Sequence, residues 1–107
     1  MSANTGAFLA ASNTVGATAA VDSGGASYVA VHAWRSDAAA ASTSTVYVQV
    51  SIDNAAWYRA ATFTNLTGLD GTTGDGGDGI SVPSWPFMRL YVADCTVGRL
   101  SSIWVKR

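Results

Sequence analysis

Apolar and polar residues alternate with a period of two along most of this chain. Val15, Ala17, Ala19 and Val21 are spaced to share one face, opposite Gly16, Thr18, Ala20 and Asp22. After the turn-forming run Ser23–Ala26, Val29, Val31 and Ala33 alternate with Tyr28, Ala30, His32 and Trp34. Val46, Val48, Val50 and Ile52 alternate with Tyr47, Gln49 and Ser51. Beyond the turn residues Asp53 and Asn54, residues 57–63 read as the return strand, with Trp57 as a plug over the core. Residues 79–82 form a short strand, and in residues 87–93 Met88, Leu90 and Val92 oppose Phe87, Arg89 and Tyr91. In the last segment Ile103 and Val105 oppose Trp104 and Lys106. A period of two puts successive side chains on opposite faces of a pleated strand, and β-branched residues suit that surface. The pattern therefore predicts seven to eight short strands in an all-β, antiparallel sandwich or barrel.

Three segments break the alternation. Residues 1–12 are small and polar with Phe8 and Leu9 as anchors, which leaves two readings open, a flexible arm or an edge strand. Residues 13–107 then make a single domain. Residues 37–41 suffice for one helical turn and are too short to stand alone. Residues 64–79 form a long loop with five glycines among residues 71–79. Directly after it, Pro83 and Pro86 keep residues 82–86 out of a central strand and hold Trp85 on a rigid bend.

Composition narrows the functional classes. The chain has 107 residues, 49% of them apolar but many of these alanine, so the core is thin and gains from a partner or from self-association. All seven acidic residues are aspartate, and Lys106 is the sole lysine; an alphabet without glutamate suits turns and strands rather than helices. Net charge is −1, and the six basic residues are dispersed, which disfavours binding to nucleic acid. Cys95 stands alone, so no intrachain disulfide forms. No segment has the features of a signal peptide or the length of a membrane span. The expectation is a soluble protein made in the cytoplasm.

Candidate chemistry is sparse. His32, the only histidine, lies mid-strand with no nucleophile motif beside it, so no catalytic residue is assigned. Asp70, Asp75 and Asp78 offer hard oxygen ligands, but their spacing lacks the alternate acids and closing glutamate of a calcium loop, so no metal site or cofactor is assigned. Four tryptophans, Trp34, Trp57, Trp85 and Trp104, are many for this length. Trp34 and Trp104 oppose the aliphatic residues of their strands and are candidates to cover a second sheet or a neighbouring chain. Trp85 is the candidate for an exposed contact, with protein or with sugar.

Two resemblances emerge. The run Ser51-Ile52-Asp53 followed by Trp57 resembles the aspartate box of sialidase-type propellers, but Ala55 stands where that motif has glycine, Trp57 comes one residue early and there is one copy. The second covers residues 44–107: an alternating strand ending in Ser51-Ile52-Asp53, the turn to Trp57, the glycine-rich loop, the Phe87–Val92 strand containing Arg89, and a final strand from Gly98 to Val105. This order resembles the small β-sandwich or jelly-roll virion proteins of tailed bacteriophages, capsid decoration (cement) proteins among them. The resemblance implies a jelly-roll-like sandwich without enzymatic activity or cofactor. It further implies a position on the outer capsid surface after synthesis in the host cytoplasm, where the protein braces the major capsid protein and pairs with itself as a dimer or trimer. Phe8, Leu9, Trp34, Trp85, Pro86 and Trp104 are the expected contact residues. The alternative is a carbohydrate-binding or tail- or fibre-associated module acting through Trp85.

Overall fold

The computed structural model describes residues 5–22, 26–36, 42–68 and 77–107. These residues form nine strands: β1 (Thr5–Ser12), β2 (Gly16–Ala17), β3 (Val21–Asp22), β4 (Tyr28–Arg35), β5 (Thr43–Ser51), β6 (Tyr58–Thr64), β7 (Asp78–Pro83), β8 (Phe87–Val97) and β9 (Leu100–Lys106). No helix occurs among the described residues, and the proposed helical turn at 37–41 lies outside them. All strand pairs within the two sheets are antiparallel. One sheet, which we call A, has the order β1-β9-β4-β7. The other, sheet B, has the order β2-β8-β5-β6, with β3 also paired to β8.

β2 and β3 run beside the same strand and act as one interrupted strand. Their registers on β8 differ by one residue: Ala17 faces Tyr91, whereas Val21 faces Met88. The interruption is Thr18, whose backbone N–H donates to the Leu90 carbonyl at 2.9 Å while its hydroxyl accepts the Leu90 N–H at 3.0 Å. The chain is then an eight-stranded hairpin wound upon itself. The innermost pair is β5 with β6, followed by β4 with β7, β2/β3 with β8, and β1 with β9. This nested pairing across two sheets is the jelly roll. It places Pro83, which cannot donate to a neighbour, on the edge strand β7, where it costs no ladder bond.

The core between the sheets consists of alternate residues from the central strands. Sheet A supplies Val29, Val31, Ala33 and Val82, and sheet B supplies Val46, Val48, Val50, Met88, Leu90 and Val92. Each fully buried valine or leucine contributes about 1.5–3 kcal/mol of transfer free energy, so a core of small side chains suffices only because so many are completely enclosed. Leu66 lies in the core although it precedes the glycine-rich segment. It is held by the Ser42 N–H donating to its carbonyl, and beside it the Asn65 N–H donates to the Ser44 carbonyl. The start of the 64–79 loop is thus anchored. Residues 69–76, with Asp70 and Asp75 of the glycine-rich loop, lie outside the described residues.

Three face assignments are corrected by the structure. In β9, Trp104 stands opposite Val31 and points inward, 7% exposed, whereas Ile103 stands opposite His32 and is 44% exposed. The inward slot needs a wide side chain because its other neighbour, Gly6 of β1, has none; a Cβ there would lie 2.5 Å from the indole. In the 13–22 segment the shift at Thr18 changes parity, so Ala17 faces outward while Val21 packs on the core, and Val15 is exposed. Ile52 is 71% exposed because the strand ends at Ser51 and the chain turns away.

Candidate interaction surfaces

The six expected contact residues do not form one patch. Leu9, opposite Ser102, and Trp104 both belong to the core, which corrects their assignment as outward contacts. A register shift between Ala7 and Leu9 lets the adjacent Phe8 reach the same apolar surroundings, with its ring 6.3 Å from Trp104. Trp85 is half-buried against the core and stacks on Tyr58 at 6.0 Å, closing the open side of the sandwich between β6 and β7. One of its ring faces is therefore occupied, while Pro86 is exposed beside it. Trp34 is half-buried on the outer face of sheet A, 4.8 Å from the His32 ring.

The outer face of sheet A carries no aspartate, lysine or arginine at its centre. The cross-strand register brings together Ala7, Ile103, His32 and Gly79 in one row and Thr5, Val105, Ala30 and Ser81 in the next. Tyr28, 55% exposed, and Pro83 continue the surface. The small residues on β4 and β7 leave a shallow depression of about 360 Å³ rimmed by Ile103 and Val105. An apolar surface of this kind, without long charged side chains, has the composition of an interface core.

The outer face of sheet B has a different chemistry. Arg59, Gln49 and Arg89 stand side by side on β6, β5 and β8. The Arg89 Nε donates to the Gln49 Oε1 at 2.7 Å, and its guanidinium lies 4.0 Å from the centre of the Trp57 ring. The Arg59 guanidinium lies 4.3 Å from the Tyr47 ring, which is stacked with Tyr91 at 6.4 Å. Trp57 is therefore not a core plug, as its place after the turn had suggested. It is a platform on the outside of the sheet, held there by cation–π attraction.

The turn between β5 and β6 is a hydrogen-bonded knot. Ser51 Oγ donates to the Ala56 carbonyl at 2.6 Å and accepts the Asn54 N–H at 2.9 Å. Asp53 Oδ1 accepts the backbone N–H groups of Ala55 and Ala56, both at 3.0 Å. The backbone bonds, from Ala56 first and then from Ala55, hold the Asp53 carboxyl below its ordinary value of 3.8. Because the folded value is the lower one, the contribution is complete above the ordinary value and disappears as pH falls through the folded value. Urea midpoints should therefore separate the native protein from Asp53→Ala near neutral pH, and the gap should close in acid below about pH 4. A gap that persists unchanged in strong acid would show that the ionised carboxylate is not what braces the turn.

Among the described residues no three His, Cys, Asp or Glu side chains converge as metal ligands. Cys95 is half-buried and donates its S–H to the Gly98 carbonyl at 3.3 Å.

No family model matches the chain, and no curated protein matches it in sequence. Solved structures share its fold. The crystal structure of the SPBc2 prophage-derived protein YomS aligns with 96% of this chain and 91% of that chain, with a TM-score of 0.54 and 16% sequence identity. The shared fold extends almost end to end, from the first strand to the last.

The surface of sheet B escaped the sequence reading, although its signal was present. Tyr47 and Gln49 occupy the outward positions of β5, as Arg89 and Tyr91 do in β8. Alternation shows that these residues point outward; only the pairing of β5 with β8 shows that they touch.

Proposed function

We propose that this protein is a non-enzymatic structural component of a tailed-phage virion, which decorates the capsid and stabilises it through contacts with the major capsid protein and with further copies of itself. The observation that carries the reading is the jelly-roll winding, shared nearly end to end with a prophage-derived protein. The outer face of sheet A, without aspartate, lysine or arginine at its centre, supports it. There Ile103, Val105, Ala30 and Tyr28 offer apolar contact without desolvating a fixed charge.

The test is addition of purified protein to capsids that lack it. Co-sedimentation and a higher capsid melting temperature are expected. Ile103→Lys places a charge at the centre of the face, at an exposed position that folding does not depend on, and should abolish co-sedimentation while leaving the protein's own melting temperature nearly unchanged. Addition that leaves capsid stability unaltered would sink the bracing role. Undiminished addition of Ile103→Lys would move the contact to another face.

A further inference from the structure

We propose that the outer face of sheet B is a binding site for an acidic polysaccharide, with Arg59 and Arg89 gripping successive carboxylated sugars. Neither arginine has a carboxylate partner among the described residues; their contacts are with Tyr47, Trp57 and Gln49. The two arginines are held differently from ordinary surface cations. Each guanidinium is laid on an aromatic ring, and Arg89 is also tied by its Nε to Gln49, so much of the side-chain entropy is already lost before a ligand arrives. Their remaining N–H groups form the planar fork that matches a carboxylate. A face with two preorganised cations and no acid between them is complementary to an anion.

Geometry and composition select the kind of anion. Arg59 and Arg89 lie on the strands flanking β5, and both guanidiniums lean in over the sheet, one on the Tyr47 ring and the other against Gln49 and Trp57. Two cations on a chain of net charge −1 fall short of the clustered lysines and arginines that a nucleic-acid backbone needs. The groups between and beside the arginines also suit sugars. Gln49, Thr62, Tyr47 and Tyr91 supply amide and hydroxyl groups for sugar hydroxyls. This surface lies on the opposite side of the sandwich from the face assigned to protein contact, and the proposal does not depend on the capsid reading.

Titration calorimetry of the whole chain against oligogalacturonate, with a neutral malto-oligosaccharide, oligoglutamate and oligothymidylate as comparisons, tests the assignment. Saturable binding of the uronate is expected, with weakening as salt rises. Arg59→Ala and Arg89→Ala should each reduce affinity at least about tenfold, and Arg89→Lys should recover little, because a point charge does not replace the fork. The melting temperature of Arg59→Ala should match that of the native protein, since the side chain is exposed. Equal binding of the neutral sugar, stronger binding of oligoglutamate or oligothymidylate, affinity untouched by both alanine variants, or no binding of the uronate would each overturn the proposal.

Discussion

Trp104→Ala should lower the stability of this protein by about 3–5 kcal/mol, the range for truncating a buried aromatic, and Trp34→Ala should cost less than half as much. The two tryptophans look alike in the sequence, each in a terminal stretch of a strand and each opposite aliphatic neighbours. The structure separates them. Trp104 sits between the sheets, with the bare backbone of Gly6 against its indole, Phe8 beside it and the Lys106 ammonium 5.7 Å from its ring centre. Truncation opens a cavity that Gly6 has no side chain to fill, and the edge strand β1 loses what it leans on. The indole Nε1 has no hydrogen-bond partner among the described residues, so its removal leaves no orphaned acceptor to offset. Trp34 rests on the outer face of sheet A against His32, where solvent fills the gap it leaves. Urea unfolding of the two variants checks this. A Trp34→Ala loss equal to or larger than that of Trp104→Ala would contradict the assignment of inner and outer faces.

Gly77→Ala is expected to cost at least about 1–3 kcal/mol from backbone conformation alone, and Gly79→Ala, two residues away, to cost almost nothing. Gly77 leads into β7 with φ of 75°, a region that L-residues adopt only under strain. A methyl group there would also overlap the Ala33 carbonyl oxygen and press on the Trp34 Cβ, and the first of these is backbone that cannot rotate aside. A Cβ on Gly79 would meet only the Val31 carbonyl oxygen at 3.7 Å, an ordinary contact. Comparison of thermal midpoints is enough. Equal effects would show that the entry to β7 is not constrained in the way the geometry requires. The experiment also tests why so glycine-rich a stretch stands here: at least one of its glycines is needed for close approach to a neighbouring strand.

The hairpin at 46–59 shows how far the linear pattern reaches. Val46, Val48 and Val50 are inward because a buried sheet face tolerates no other register, and their alternation says so directly. Asp53 and Asn54 make the turn because a short polar side chain can accept backbone N–H groups and tolerate positive φ; Asn54 has φ of 60°. Ile52 and Trp57 defeat the same reasoning. Their apolar character suggested burial, but the strand had already ended for one, and the other had found an arginine on the outside.

By itself, the sequence determined the class of this protein and the inward face of its central strands. Period-two alternation of β-branched residues has one stable outcome, a sheet with one side covered, and prolines 83 and 86 keep residues 82–86 out of a central strand. Tertiary structure alone decided which strands meet. Nested pairing put Gly6 beside Trp104 and so turned the last strand's tryptophan inward, and it put Arg59, Gln49 and Arg89 in a row although they come from three strands up to 40 residues apart. Register between distant strands depends on how whole faces pack, and no local window of residues carries that information.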